Sequence, residues 1–276
     1  MFQLFIKLLK RFAIFIPGII VAYVSWEYII PFFNKRLPYL LAILLAYGVA
    51  AYILLPAIIR GWHILLPPRH LPLYCVTPDG FASDPLNIAI IGLREEVIEA
   101  MEKAGWHQSE PTNFKTVVHQ LYSMLFNREY LNSPLSHLYL FGRKQDIGFS
   151  KPVVKNNLNR HHVRLWAATY DNDKLLSPTS IHWYNQKADI SNSGILWIGS
   201  VSLDLGLVPM RHNWQLTHMV DPDTNKEREL LVRQLKKFAN AQEVTSIKLG
   251  DPYSLINRAW RGILKTDGIM KVIRLK

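Results

Sequence analysis

Two long apolar segments near the N-terminus constrain this chain more than any other feature of its sequence. They cover residues 12–33 and 37–59, and the polar residues 34–36 lie between them. A membrane-spanning helix needs about 20 predominantly apolar residues, so each segment is long enough to cross a bilayer. The second segment carries no charged residue, whereas the first contains Glu27 and is interrupted by Pro17. The sequence therefore predicts an N-terminal transmembrane α-helical hairpin within residues 1–66.

The basic residues beside the apolar segments bear on two questions: whether the first segment is a signal peptide, and how the hairpin is oriented in the membrane. A signal peptide would also begin with basic residues before an apolar stretch, but no convincing small-residue cleavage site follows here. Cytoplasmic flanks carry an excess of Lys and Arg. With both termini inside, five of these residues lie inside and two outside. We therefore expect a multi-pass protein of the inner (cytoplasmic) membrane whose C-terminal domain is cytoplasmic.

The composition excludes several classes of protein. The net charge is +11, but residues 1–70 supply +6 of it, with seven basic residues and one acid. Positive charge there serves topology and contact with anionic head groups. The remaining +5 is spread over residues 71–276, which argues against nucleic-acid binding. The single cysteine, Cys75, excludes an intramolecular disulfide framework and is expected to be a small buried apolar residue.

A proline-rich connector, residues 67–72, precedes a region of mixed helical and strand patterns at residues 73–276. Helices at both ends and strands between them predict an α+β domain, with a mixed sheet and flanking helices. Thr224 and Glu227 are expected to form a capping box, and Asp251 is expected to begin a further helix. The predicted strands are 86–91, 138–141, 163–169, 195–203, 214–220 and 269–275, and the other predicted helices are 94–104, 111–126 and 224–239.

One predicted strand combines basic and apolar residues. Strand alternation places His162, Arg164 and Trp166 on one face and leaves His161 on an apolar face that points inward. A histidine base beside a guanidinium suits an anionic, phosphate-like group. The alternative is an edge strand with a solvated polar face, which the composition favours.

A second polar cluster lies where a predicted strand meets a helix. His218 is followed by Asp221 and Asp223, which also have an ordinary role as caps of a helix N-terminus. A divalent metal would need three or more side chains to converge, and no H-E-x-x-H spacing points to one. The candidate metal ligands are His161, His162, His218, Asp204 and Asp221.

These polar segments, taken in order, resemble the LssY-like C-terminal domain found in bacterial membrane proteins. The resemblance implies a domain of unresolved activity that often accompanies transport units or lipid phosphatases, and so suggests lipid-phosphate or envelope metabolism by association. A second histidine expected after His218 is replaced by Met219. The matching residues are Asp84-Pro-Leu-Asn87, Ser133-Pro-Leu135, Tyr139-Leu-Phe-Gly-Arg143, Gln145-Asp146, Arg160-His-His-Val-Arg164, Trp166, Trp197-Ile-Gly199, Asp204, Thr217-His218, Asp221-Pro-Asp223 and Glu227-Arg228.

Two functional hypotheses remain open. The first is a membrane-tethered hydrolase acting on a phosphorylated or lipid-linked substrate. The second is a non-catalytic regulatory or scaffold module that binds membrane lipid or a membrane protein partner, with the same residues forming a buried polar network. An open pocket would favour the first, and burial with mutual pairing would favour the second. The candidate catalytic residues are His162, His218, Asp146, Asp204 and Asp221, and the candidate anion-binding residues are Arg143, Arg164 and Arg228.

Overall fold

The computed structural model describes residues 15–65, 71–78, 80–126, 128–153, 159–168, 196–209, 216–256 and 263–275. The chain divides into two units. One comprises Met1–Pro67 with Pro78–Phe81, and the other comprises Pro68–Thr77 with Ala82–Lys276.

The first unit contains two apolar helical segments of membrane-spanning length, Ile16–Asn34 and Tyr39–Ile59. Most of their large apolar side chains are exposed, which suggests a membrane association. The first segment runs through α1 (Phe15–Val24), a π-helical turn (Ser25–Ile29) and α2 (Ile30–Asn34). The second runs through α3 (Tyr39–Val49), a second π-helical turn (Ala50–Leu54) and α4 (Leu55–Leu65).

Each π-helical turn lies directly before a proline-containing turn of helix. Pro31 follows the first turn and Pro56 follows the second, each two residues after its end. A proline removes one backbone donor and crowds the carbonyl four residues earlier, which here belongs to Glu27 or Tyr52 inside the π-helical turn. The widened turn therefore lets the chain remain helical past the proline.

The second unit is built on an eight-stranded sheet. Seven strands follow the order β11-β14-β3-β9-β8-β7-β4, and β10 pairs with the far end of β9. All pairs are antiparallel except β14 with β3. Its strands are β3 (Ile88–Ile91), β4 (His107–Gln108), β7 (Ile147–Pro152), β8 (Asn159–Ala168), β9 (Leu196–Pro209), β10 (Leu216–Val220), β11 (Gln242–Lys248) and β14 (Ile269–Arg274).

Both faces of this sheet are covered, so two apolar cores form. Helices α5 (Arg94–Lys103) and α7 (Thr224–Phe238) pack on one face, where Met101 and Leu231 contact the cluster that holds Val163. A four-stranded sheet packs on the other face, where Cys75 and Leu140 join the cluster around Trp166. That sheet has the order β2-β1-β5-β6, with strands β1 (Tyr74–Val76), β2 (Ala82–Pro85), β5 (Tyr139–Leu140) and β6 (Arg143–Lys144). The predicted α+β class is confirmed, and Cys75 is buried as expected.

Two expectations about local structure are wrong. The segment after Asp251 is not a helix, because β12 (Tyr253–Ile256) pairs antiparallel with β13 (Ile263–Thr266). Helix α7 is capped by Asp223, whose side chain accepts from the Lys226 amide, and not by Thr224. The Thr224 hydroxyl donates instead to the carbonyl of Lys265.

Candidate functional site

The candidate site lies on the long ladder between β8 and β9. On the face toward the four-stranded sheet, Arg160 is opposite Asp204, His162 is opposite Ser202, and Arg164 is opposite Ser200. All six residues are buried. Strand β8 lies between β7 and β9, so the alternative of an edge strand with a solvated polar face is wrong. The second sheet buries the face that alternation alone would have left open to water.

Arg164 is held by a buried carboxylate from the other sheet. Its Nη1 lies 2.8 Å from Oδ2 of Asp84, which also accepts from the hydroxyl of Ser202 at 3.0 Å. Burial raises the pKa of Asp84, and the Arg164 guanidinium opposes that rise. Arg164 also donates to the carbonyl and the hydroxyl of Ser136. Arg164 therefore joins the two sheets, and its donors already have partners within the domain.

His162 and Asp204 form the second pair of the cluster. Nδ1 of His162 lies 3.0 Å from Oδ2 of Asp204, and only 1% of the histidine surface is exposed. Burial lowers the pKa of His162 to about 4, although Asp204 pulls it upward. The imidazole is therefore neutral at physiological pH, in the form that accepts a proton. A carboxylate beside a neutral imidazole is the arrangement of an oriented general base.

Arg160 differs from Arg164 in how its charge is accommodated. Its surface is 2% exposed, and Nε and Nη1 have no hydrogen-bond partner among the described residues. Asp204 attracts it across the ladder, while burial lowers the pKa of the guanidinium. A buried donor without an acceptor costs about 1–3 kcal/mol, more when charged. Such a group is suited to receive an anion that the protein itself does not provide.

Cys75 and Asn87 complete the surroundings of the cluster. The Cys75 thiol donates to the backbone carbonyl of Asp84, and burial raises its pKa, so it remains protonated. Asn87 donates to the carbonyls of Val201 and Thr224 and accepts from the Val201 amide. These contacts fix β9 relative to the start of α7.

Arg143 and Asp146 form a separate ion pair. Nη2 of Arg143 lies 2.6 Å from Oδ1 of Asp146, whose other oxygen accepts from the amide of Ala167. The Trp166 indole donates to the backbone carbonyl of Arg143. The tight turn before Arg143 has positive φ at Phe141 and Gly142, which a two-residue hairpin loop requires. This pair therefore anchors the β5–β6 hairpin at the other end of β8 from Arg160.

His161 lies on the opposite face of β8 from His162, toward the helices. Its Nδ1 is 2.5 Å from Oε2 of Glu227 on α7, and its ring is 6.0 Å from that of Trp106. The expectation that His161 points toward an apolar core agrees with this position. His162 is nevertheless the more deeply buried of the two, because the second sheet covers its face. The adjacent histidines cannot bind one metal ion from opposite faces of a strand.

Arg228 and Asp221 have contacts that account for them within the fold. Arg228 donates to both carboxylate oxygens of Asp267 and to the carbonyl of Ile269, which ties α7 to the β13–β14 turn. Asp221 accepts from the amide of Asp223 just before α7. The side chain of His218 lies outside the described residues, although its backbone pairs with that of Leu207.

The described side chains do not bring the candidate metal ligands together, and the side chain of His218 is not among them. Among the described residues, no group of three or more His, Cys, Asp and Glu side chains is placed to hold a metal ion. A cleft of about 240 Å³ opens beside β7, and Arg94, His137, Lys144 and Asp146 are among the residues that line it. None of the residues Arg160, His162 and Asp204 lines that cleft.

Sequence reasoning assigns no site role to four members of the cluster: Asp84, Arg160, Ser200 and Ser202. Asp84 and Arg160 stand in segments that carry the family resemblance, but nothing in one sequence pairs Asp84 with Arg164, which is 80 residues away. Ser202 and Arg160 follow from the β8–β9 register alone, because both lie on the same face as His162. Alternation within each strand could have identified them once the two strands were paired.

Comparison with known proteins gives one match. The family model described as LssY C-terminus matches residues 68–268. Neither a curated protein nor a solved structure matches the chain.

Proposed function

Since this chain belongs to the LssY C-terminus family and carries two helices suited to a bilayer, we propose that it is a membrane-tethered hydrolase. Its substrate would be phosphorylated or lipid-linked. We further propose that the protein lies in the inner membrane of a bacterium with this domain in the cytoplasm, as the distribution of basic residues favours.

The observation that carries the proposal is the buried guanidinium of Arg160 beside the His162–Asp204 pair. Its Nε and Nη1 have no acceptor among the described residues, and a phosphate oxygen would supply an acceptor to such a donor. Arg160 is the second residue of β8, so it lies at one end of the polar ladder. An anion reaching that end would meet Arg160 before His162.

The chemistry then follows from the protonation state of the histidine. Neutral His162, oriented by Asp204, takes a proton from water as the water oxygen attacks phosphorus. The bond between phosphorus and the leaving oxygen breaks, and the imidazolium returns its proton to that oxygen. Arg160 stabilises the charge that builds on the phosphoryl oxygens. A low pKa keeps His162 unprotonated throughout the physiological range, and it also makes the imidazole a weaker base than one with a pKa near 7.

Burial favours the second candidate, a non-catalytic regulatory or scaffold module, because Arg160, His162 and Asp204 are each at most 2% exposed and none of them lines the cleft beside β7. The four buried charges of the cluster cancel, because Asp84 and Asp204 balance Arg160 and Arg164. Asp84, Arg164 and Ser202 also satisfy one another through hydrogen bonds. A charge-balanced network of this kind can serve to fix one arrangement of the two sheets. In that case the partner would be membrane lipid or a membrane protein.

Phosphate release from the full chain in lipid nanodiscs distinguishes the candidates. The substrates are a short-chain phosphatidic acid and p-nitrophenyl phosphate, each tested with and without divalent cations. We expect turnover by the wild type and its loss in His162→Asn and Arg160→Gln. The variant His107→Asn is the matched control, because His107 lies on β4, outside the cluster. Metal content of the wild type, His162→Ala and His218→Ala is measured on the same preparations.

Inorganic phosphate provides the second readout. A phosphate-dependent rise in Tm that Arg160→Gln abolishes, without turnover of either substrate, would replace the hydrolase with an anion-binding module. Absence of both turnover and phosphate binding would leave the scaffold as the function of the cluster.

A further inference from the structure

Helix α6 (Phe114–Leu125) exposes the apolar face that an amphipathic helix normally buries. Phe114 is 86% exposed and Leu125 is 80% exposed, and the exposed face continues beyond the helix to Phe126. At 100° per residue these side chains form one stripe along the helix. The other exposed members of the stripe are Val117, Val118, Leu121 and Tyr122.

The helix is attached to the domain by its polar edge. Thr116 and Ser123 are the buried polar residues of the helix, on the side away from the apolar stripe. Asn113 and Thr116 form a reciprocal capping box, and the Thr116 hydroxyl also donates to the carbonyl of Pro111. The stacked rings of His119 and Tyr130, 4.2 Å apart, hold the same side. The apolar stripe is therefore turned outward by specific contacts.

An exposed stripe of this kind indicates a contact outside the domain. Single exposed apolar residues are common on proteins, but a contiguous set on one helix marks an interaction site. The apolar periodicity of α6 predicts that the stripe packs against the domain, but the polar side of the helix packs there instead. We propose that the apolar stripe of α6 lies in the interfacial region of the lipid bilayer, so that α6 is an in-plane membrane helix.

The covalent structure places a bilayer within reach. Five residues, 66–70, separate the end of α4 from the described start of the domain at Leu71. A connector of that length extends roughly 20 Å at most, since each residue adds about 3.3–3.6 Å. A membrane that holds the apolar helices therefore keeps the domain at its surface.

The charges around α6 also suit a lipid surface. Helix α6 contains Lys115 and no Asp or Glu, and Arg128 follows it, while Glu110 and Glu129 lie just outside these residues. Helices that lie in the interface combine an apolar face with basic residues that contact anionic head groups. Tyr122 adds an amphipathic ring, over which the Arg128 guanidinium lies 5.7 Å from the centroid. A protein partner of opposite charge would need acidic groups, whereas the bilayer supplies both apolar and anionic surface.

This proposal does not depend on the hydrolase. It fixes which side of the domain faces lipid, and that holds for an enzyme or a scaffold alike. Burying the stripe would also place a second attachment to the membrane alongside the apolar helices.

Site-directed fluorescence on the full chain in lipid nanodiscs tests the proposal. An environment-sensitive label is placed at Leu121→Cys on the stripe and at Glu102→Cys on α5, where the side chain is exposed and polar. The native Cys75 is fully buried, so the unmodified protein serves as the labelling blank. Each label is quenched by nitroxide-bearing lipids from the membrane and by iodide from water.

We expect the Leu121→Cys label to be quenched by the lipid nitroxide, protected from iodide and shifted to shorter emission wavelength, with the opposite pattern at Glu102→Cys. Adding Val118→Asp and Leu125→Asp to the Leu121→Cys protein should abolish the lipid quenching. Iodide quenching equal at both sites would overturn the proposal. Protection from iodide without lipid quenching would also overturn it, and disulfide-linked dimers of Leu121→Cys would then identify a second copy as the cover.

Discussion

His162 reaches diagonally across the β8–β9 ladder to Asp204, two residues beyond its direct register partner Ser202. The hydroxyl of Ser202 donates to Asp84 on the other sheet, so it does not compete with His162 for the carboxylate of Asp204. The diagonal pair and the Asp84–Arg164 pair therefore share one face without competing for the same donors. The arrangement makes the electrostatics of the domain depend on strand register, because a slip of one residue would turn every one of these side chains to the helical face.

The first prediction concerns pH and His162. Its pKa is about 4 in the folded protein and 6.5 in an unstructured chain. As the pH falls from 6.5 toward 4, the unfolded state gains a proton that the native state does not, so stability is lost in that window. The loss approaches about 3 kcal/mol at the acid end, since each pKa unit corresponds to about 1.4 kcal/mol. Tm measured from pH 7 to pH 4 should fall more steeply for the wild type than for His162→Asn.

The control for this pH experiment is His107→Asn, which removes a histidine on β4, outside the cluster. Asp84, whose pKa burial raises, is present in all three proteins, so the difference between the slopes of the wild type and His162→Asn reports on His162. Equal slopes for the wild type and His162→Asn would show that the native histidine is not held neutral.

The sequence was sufficient for most elements but not for the way they are layered. Apolar runs and helical periodicity predicted the helix at Arg94 and the strand at Ile269, because each pattern reflects local burial. The pairing of Asp84 with Arg164 depends on two sheets packing face to face, which no local pattern encodes. Helix α6 departs from expectation for the same reason. Its apolar periodicity correctly predicts a helix, but the apolar side does not face the domain core. The polar residues of β8 are typical of a solvated edge strand, and it is the packing of the second sheet that buries them.

A second prediction concerns the pair that joins the sheets. Arg164→Met leaves the Asp84 carboxylate buried without its cation, and breaking a buried pair costs about 3–5 kcal/mol. Adding Asp84→Asn removes the orphan charge and should recover a substantial part of that loss. The free energy of unfolding of the two single variants and the double variant, from denaturant titration, gives the coupling. Losses that simply add would show that Asp84 and Arg164 do not depend on each other.

A third prediction concerns the closeness of β8 to β9. A Cβ at Gly199 would lie 2.6 Å from the backbone carbonyl oxygen of Arg164 and 2.5 Å from a methyl of Leu165. Because the backbone cannot yield as a flexible side chain does, Gly199→Ala should lower stability by about 1–3 kcal/mol. Ser200→Ala, one residue along the same strand, is the matched control. Its hydroxyl has no hydrogen-bond partner among the described residues, so its removal should change Tm little. A Gly199→Ala protein as stable as this control would contradict the β8–β9 register.

The last prediction separates a structural arginine from a ligand-binding one. Arg228 donates to Oδ1 of Asp267 at 2.9 Å and to Oδ2 at 2.8 Å, and it also donates to the carbonyl of Ile269. Lysine keeps the charge but cannot make this fork, so Arg228→Lys should lower stability by about 1–2 kcal/mol. Phosphate binding and any turnover should be unchanged, because these contacts hold α7 against the β13–β14 turn. Loss of phosphate binding in Arg228→Lys at unchanged Tm would instead make Arg228 a ligand residue and displace the site from Arg160.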